Sequence, residues 1–157
     1  MSQRLPIASV FSMDTGGCGA CQQSIAALSA VRHLKALSAS GLSFTETPRS
    51  ANIVLLTGAL SVATESDVRQ ILGGIPEPKV LVAVGDCANG GCVFSGSPLL
   101  AANAADALDV HVEVGGCPAS PTEILAAIQR AQQMLATSET HDTAAAEPVS
   151  ATQGENA

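Results

Sequence analysis

Two cysteines stand three residues apart inside a glycine-rich run near the amino terminus. Cys18 and Cys21 lie in the stretch "GGCGAC", residues 16–21. This CxxC spacing suits three kinds of chemistry: a dithiol that exchanges electrons, one half of a zinc site, or part of an iron–sulfur site. The positions of the remaining cysteines must therefore indicate which of the three kinds of chemistry the chain supports.

Two further thiols follow short aliphatic runs that have the composition of buried parallel strands. Cys87 comes after "KVLVAVGD" and Cys117 after "VHVEVGG". Because the carboxyl ends of parallel strands meet at one edge of a sheet, we expect these loops to bring both thiols to the first pair. Four thiolates are what a 4Fe–4S cluster requires. The predicted site residues are Cys18, Cys21, Cys87 and Cys117.

Two alternatives stay open on the residues alone. A zinc site made of four cysteines typically uses two close pairs, CxxC…CxxC, whereas Cys87 and Cys117 each stand alone. A redox dithiol would use Cys18 and Cys21 and leave the other two thiols without a role. The cluster is favoured because it uses all four.

The fifth thiol and the histidines are interpreted as structural. Cys92 is an alternative to Cys87 as a ligand, but the position at the end of a strand favours Cys87, and Cys92 is expected to be a small buried residue. His33 and His111 are expected in a helix and a strand, and His141 in a terminal tail.

Small residues surround the predicted ligands. The pair Asp14–Thr15 precedes the first glycines, where it would either line the site or cap a turn. Glycine permits tight turns and close backbone approach to a cluster. The flanking glycines are Gly16, Gly17, Gly19, Gly85, Gly90, Gly91, Gly115 and Gly116.

Alternating strands and helices must position these loops. The aliphatic runs predict strands over residues 5–11, 52–58, 79–85 and 110–114, and helical patterns cover 22–37, 64–75, 98–107 and 120–135. This alternation predicts a three-layer α/β sandwich with a mostly parallel sheet.

Local signals mark where two of the helices begin and one ends. Thr64 is expected to cap the second helix, which Gly73 and Gly74 should end. The last helix has Ser120 as its expected N-cap, followed by Pro121 and Glu123. The core-facing residues expected on the first helix are Ile25, Leu28 and Leu37.

Composition and charge narrow the class of protein. Of 157 residues, 46% are hydrophobic but only 2% are aromatic, so the core must be built from aliphatic side chains. Of the net charge of −7, residues 138–157 contribute −4, since they hold four acidic and no basic side chains. We therefore predict a cluster-binding domain over 1–137 and a disordered acidic tail over 138–157.

The same features bear on partners and location. A mildly acidic domain is not expected to bind nucleic acid, because phosphate binding needs a basic face. The sequence shows no targeting segment and no run of about 20 apolar residues that would cross a membrane. The expected location is cytoplasmic, and attachment to the inner face of the membrane through partners stays open.

Four stretches in order along the chain carry a family resemblance: "GGCGAC", "PRSANIVLLTG", "PEPKVLVAVGDCANGGCVF" and "GGCPASPTEILAAI". With these motifs the chain resembles the small subunit of nickel–iron hydrogenases and its relative, the 20-kDa cluster-bearing subunit of respiratory complex I. The resemblance runs from Val10 to Ala136.

The resemblance implies a flavodoxin-like fold that holds one proximal 4Fe–4S cluster next to a catalytic large subunit. Carried over by position, Cys18, Cys21, Cys87 and Cys117 would be the ligands, and any nickel–iron centre would belong to the large subunit. Further electron-transfer subunits are implied as partners. Without an additional cysteine-rich domain, the chain resembles the short, single-cluster form, which on its own should not turn over hydrogen.

One detail separates the two branches of the resemblance. Complex I subunits typically have adjacent cysteines at the first motif, whereas this chain has the CxxC spacing of hydrogenases, so the hydrogenase branch is favoured and a quinone-reducing, complex I-like function is the alternative. Gln22, Gln23 and Ser24 stand where hydrogenases often carry a glutamate for proton traffic. The common "GCPP" is "GCPA" here. The first departure bears on proton-coupled hydrogen chemistry more than on cluster binding.

Overall fold

Five parallel strands form the central sheet of the protein. The computed structural model describes residues 7–29, 39–101 and 104–142. The strands are β1 Ala8–Asp14, β2 Leu42–Phe44, β3 Ile53–Thr57, β4 Val80–Val84 and β5 Val112–Val114. Their order in the sheet is β2-β1-β3-β4-β5, and every pairing is parallel. This is the flavodoxin-like strand order, so the predicted fold class is confirmed.

Helices cover both faces of the sheet. Among the described residues the α-helices are α1 Ala20–Ala26, α2 Glu65–Gly73, α3 Ala104–Ala107 and α4 Pro121–Asp142, and short 3-10 turns cover Ala27–Ser29 and Pro48–Ser50. Side chains of α1 and α4 pack with one face of the sheet, and those of α2 and α3 pack with the other. The result is the predicted three-layer sandwich.

The central strand β3 shows why a buried parallel strand is aliphatic along its whole length. Ile53 and Leu55 point into the core shared with α1 and α4, while Val54 and Leu56 point into the core shared with α2 and α3. All four side chains are fully buried. Alternate residues of a strand face opposite sides, so a strand covered on both faces must be apolar throughout.

The predicted start of α4 is confirmed in its hydrogen bonds. The Ser120 hydroxyl accepts a bond from the Glu123 backbone N–H at 3.3 Å, and the Glu123 carboxylate accepts from the Ser120 backbone N–H at 3.3 Å. This reciprocal capping box satisfies two donors that the first turn of a helix leaves free. Of the helices that the structure describes, none combines the length and apolar character needed to cross a membrane.

The predicted ends of α2 are at the expected residues, but Thr64 does not cap the helix with its side chain. Thr64 occupies the N-cap position, but its side chain makes no capping bond and instead meets the Ser61 hydroxyl at 2.8 Å. At the other end Gly73 is the last helical residue and Gly74 the C-cap, as predicted.

Two strands differ from the sequence prediction. Strand β1 runs three residues further than predicted, because the backbone of Ser12 to Asp14 continues the ladder with β3, and backbone pairing does not depend on apolar side chains. Strand β2 was not predicted. It has only three residues at the edge of the sheet, too few to show a periodic pattern.

The helix predicted over 98–107 is much shorter. Of the described residues in this range, Ala104–Ala107 are helical. The backbone before them bonds to another loop: the Ala101 N–H donates to Leu60 O at 2.9 Å, and Leu99 O accepts from Val62 N–H at 3.0 Å. Groups engaged in this way cannot form the i to i−4 bonds of a helix.

The ends of the other helices can be compared in part. Ile25 and Leu28 are buried as predicted. Leu37 lies outside the described residues, as does His33. Helix α4 continues to Asp142, so residues 138–142 are helical where the sequence predicts a tail. Residues 143–157 lie outside the described part.

Candidate metal centre

The loops that carry the four predicted ligands lie at one edge of the sheet. Cys18 and Cys21 follow β1, Cys87 follows β4 and Cys117 follows β5, and the parallel strands direct all three loops to their common carboxyl edge. There Cys18, Cys21 and Cys87 line one depression, together with Gln22, Thr57 and the glycines around them. All five cysteines are free thiols.

Cys117 does not line this depression, but two hydrogen bonds join its loop to the loop of Cys87. The Asp86 backbone N–H donates to Gly116 O at 3.0 Å, and the Asp86 carboxylate accepts from the Gly116 N–H at 2.6 Å. Hydrogen bonds to a charged acceptor are among the stronger ones in proteins. Sequence reasoning missed Asp86. The sequence did contain a signal, since Asp86 stands between the end of a predicted strand and the candidate ligand Cys87.

A close contact at Gly85 joins the loop after β1 to the loop after β4. Gly85 has a φ of +90°, and a Cβ added to it would lie 2.5 Å from Cys21 Sγ. A side chain at this position would therefore be strained and would also displace the thiol. The packing of a thiol directly on the backbone of a remote loop is the kind of cradle that a thiolate-bound cluster needs.

A second close contact sets the path of the first loop. Gly58 has a φ of +85°, and a Cβ on it would lie 2.6 Å from both Gly17 N and Asp14 Oδ1. The Asp14 carboxylate accepts a bond from the Gly16 N–H at 2.9 Å, and the Thr15 hydroxyl donates to a carbonyl of β3 at 2.9 Å. Asp14 and Thr15 thus stabilise the turn, in agreement with the capping interpretation.

The surroundings of Cys87 make its thiol harder to ionise. Burial raises the pKa of the Cys87 thiol, and the nearby thiols raise it further, because deprotonation of several of them would place like charges together. The thiols that act on Cys87 are, in order of effect, Cys92, Cys117, Cys18 and Cys21. A metal centre would supply the positive charge that removes this penalty.

Cys92 occupies a different place from the other thiols. With Cys87 it lines a neighbouring cavity, next to Leu60, Ser95 and Ala101, rather than the depression. Its side chain is half-buried, not buried as predicted, because the loop that follows it turns towards solvent.

His111 does not line the depression that holds the thiols. His111 Nδ1 accepts a hydrogen bond from the Leu81 backbone N–H at 3.2 Å, a structural role, as predicted. His141 lies in the last turn of α4 rather than in a tail.

Thiolate ligands of zinc and of an iron–sulfur cluster differ in their spacing. Across residues 7–29, 39–101 and 104–142, no three His, Cys, Asp or Glu side chains are arranged to hold one metal ion. Zinc with Zn–S bonds of about 2.3 Å brings its thiolates to within about 3.8 Å of each other. A 4Fe–4S cluster binds each thiolate to a different iron, so its ligands stand further apart. The donor set, four free thiols on loops that meet at one edge of the sheet, fits a cluster of this kind.

Sequence comparison finds relatives among the subunits of oxidoreductase complexes. A family model described as the 20 kDa subunit of NADH ubiquinone oxidoreductase matches residues 18–131. A probable membrane-bound hydrogenase subunit, mbhJ of Pyrococcus furiosus, is 33% identical over 81% of this chain and 75% of its own length. A subunit of the NADH-quinone oxidoreductase from Geobacter sp. is 30% identical over 78% of this chain and 70% of its own length.

A solved structure shares the fold. A chain of an archaeal membrane-bound sulfane sulfur reductase superposes with a TM-score of 0.69 at 20% identity, over 85% of this chain and 73% of that one. At this identity the likeness concerns the fold alone.

The contact between Gly85 and Cys21 leads to a prediction. Gly85→Ala should cost about 1–2 kcal/mol for a side chain at positive φ, and it should also push Cys21 aside and remove most of the bound iron. Gly96→Ala is the matched control, because Gly96 has a φ of +83° but open space around its Cβ position. Thermal unfolding and iron content of the anaerobically purified full chain test this. Equal iron content in the two variants would contradict it.

Proposed function

The chain belongs to the family of the 20 kDa subunit of NADH ubiquinone oxidoreductase, and from that premise we propose that it carries the proximal 4Fe–4S cluster beside the catalytic large subunit of a nickel–iron hydrogenase-type complex. The family consists of electron-transfer subunits of hydrogenase-type and complex I-like assemblies. The observation that carries the proposal is the convergence of thiols from three remote loops on one edge of the sheet.

The proposed ligands are Cys18, Cys21, Cys87 and Cys117. A bound cluster would accept and release one electron at a time. The chain itself holds the thiols in place. Gly85 lets the loops after β1 and β4 touch, and the Asp86 carboxylate ties the loop of Cys117 to that of Cys87.

The CxxC spacing of Cys18 and Cys21 favours the hydrogenase-type partner, with nickel bound by that partner. One observation favours the complex I-like alternative, in which the cluster passes electrons to quinone. Gln22 follows the second cysteine, and an amide cannot relay a proton as a carboxylate does. A zinc-stabilised binding module is the third hypothesis, which the metal content of the native complex separates from the other two.

An apolar rim beside the thiols marks the surface that the large subunit would cover. We define this rim as Val62, Val93, Phe94 and Leu99. Val93 is 92% exposed, Leu99 73% and Phe94 66%. These side chains follow Cys92 in the chain or, like Val62, pair with that loop through a backbone hydrogen bond. Exposed apolar patches of this kind mark interaction sites, and cover by a partner would shield a cluster from oxygen.

The ligand assignment predicts opposite results for two neighbouring thiols. Cys87→Ser should abolish or strongly weaken cluster assembly, because it removes one of four ligands. Cys92→Ser should leave assembly unchanged, because Cys92 does not line the depression. Iron and sulfide content, with the absorbance of the anaerobically purified variants, provide the measurement. Equal loss in both variants would contradict the assignment.

The apolar rim predicts where the partner docks. Leu99→Asp should reduce the large subunit recovered with a tagged chain at least tenfold, which corresponds to about 1.4 kcal/mol. Ile7→Asp is the matched control: it is 80% exposed and lies just before β1, at the opposite edge of the sheet. Equal recovery with both variants would rule out the rim as the docking surface.

The metal content of the native complex tests the function as a whole. Isolated anaerobically through a tag on this chain, the complex should contain iron and nickel together. Iron without nickel would replace the hydrogenase-type proposal with the complex I-like one. Zinc without iron would overturn both.

A further inference from the structure

Three polar side chains form a hydrogen-bonded row beside the predicted ligands. The Ser12 hydroxyl on β1 donates to Gln22 Oε1 at 2.9 Å, and Gln22 Nε2 donates to Thr57 Oγ1 at 2.9 Å. Gln22 is the residue after Cys21, in the first turn of α1, and Thr57 is the last residue of β3. The row thus links two central strands across the edge that carries the thiols.

The direction of the hydrogen bonds along the row decides where the hydroxyl proton of Thr57 can point. A neutral amide has an acceptor at one end and donors at the other. Here the carbonyl faces Ser12 and the amino group faces Thr57, so the Thr57 oxygen is used as an acceptor. Within the described part of the chain, the Thr57 hydroxyl donates no hydrogen bond of its own. Its proton is therefore still available.

The surroundings indicate what that proton can reach. Thr57 is only 2% exposed, so water does not freely solvate it. Thr57 and Gln22 both line the depression that contains the thiols of Cys18, Cys21 and Cys87. In this depression the natural acceptor is sulfur, either a thiolate or a sulfide of a bound cluster.

We propose that Gln22 is a positioning residue that orients the Thr57 hydroxyl to donate a hydrogen bond to a sulfur of the cluster. This inference rests on the proposed function, since it requires a cluster in the depression. Reduction adds negative charge to the sulfurs, so a donor placed there stabilises the reduced state and raises the reduction potential.

The chemistry of residue 22 makes the inference specific. A carboxylate at this position could only accept, so Ser12 and Thr57 would both donate to it and the Thr57 proton would turn away from the sulfurs. Gln22→Glu should therefore turn the Thr57 hydroxyl proton away from the sulfurs, whereas Thr57→Val should remove that hydroxyl altogether. Thr57→Ser keeps the hydroxyl and should preserve the effect.

The test is a redox titration of the cluster in the native complex at one fixed pH, followed by electron paramagnetic resonance. We expect a lower reduction potential for Gln22→Glu and for Thr57→Val, and the wild-type value for Thr57→Ser. The control is Gln23→Glu, which adds the same charge one residue away on an exposed side chain outside the row. A wild-type potential in Thr57→Val, or equal shifts in Gln22→Glu and Gln23→Glu, would overturn the inference.

A second measurement does not depend on the Thr57→Val variant folding. Electron–nuclear double resonance after exchange into D2O should detect an exchangeable hydrogen coupled to the cluster in the wild type and in Thr57→Ser. The signal should be lost in Gln22→Glu, and its persistence there would overturn the inference. Iron content, measured first, separates the two proposals: a wild-type complex without iron overturns both, whereas a loaded cluster with unchanged signals overturns only the role of Gln22.

Discussion

Direct backbone contact between remote loops is the constraint on which the site depends. The loop after β1 can meet the loop after β4 only because no side chain stands at Gly85, where a Cβ would lie 2.5 Å from Cys21 Sγ. The same loop rests on Gly58, at the end of β3. These contacts turn three separate strand ends into one thiol-lined depression. The aliphatic, doubly covered sheet beneath them provides a rigid platform for the loops.

Polar groups then hold the loops in register. The Asp86 carboxylate binds the backbone before Cys117, and the Asp14 carboxylate holds the turn before Cys18. Both bonds run to backbone N–H groups of glycines, so they place the loop without adding side-chain bulk next to the thiols. Burial raises the pKa of the Cys87 thiol, and the neighbouring thiols raise it further. A bound metal centre would supply positive charge that stabilises the ionised thiols.

The three features around the depression form a consistent picture of an electron-transfer surface. Free thiols line it, the neutral row through Gln22 and Thr57 lines it as well, and the exposed apolar rim belongs to the loop that follows Cys92. An apolar rim favours cover by another subunit. A neutral, directional row can tune a cluster through hydrogen bonding without carrying a charge of its own. Each of these properties matches a family whose members work inside larger oxidoreductase complexes.

Much of this could be predicted from the sequence because the signals are local. Aliphatic runs such as that of β4 predict buried strands, and Ser120 with Glu123 predicts the start of α4. The alternation of elements predicts a parallel sheet, and a parallel sheet brings its carboxyl-terminal loops to one edge. From these steps the candidate thiols could be named without coordinates.

The tertiary structure alone decided which residues far apart in the chain contact one another. Strand β2 exists because the edge of β1 can pair with it, and the helix predicted from residue 98 is short because its first backbone groups bond to residues 60 and 62. The hydrogen bond from the Gly116 N–H to the Asp86 carboxylate and the one from Gln22 to Thr57 likewise join residues separated by about thirty positions. Composition and periodicity record what each segment prefers, but the partner that satisfies a given hydrogen bond depends on which segments the fold brings together.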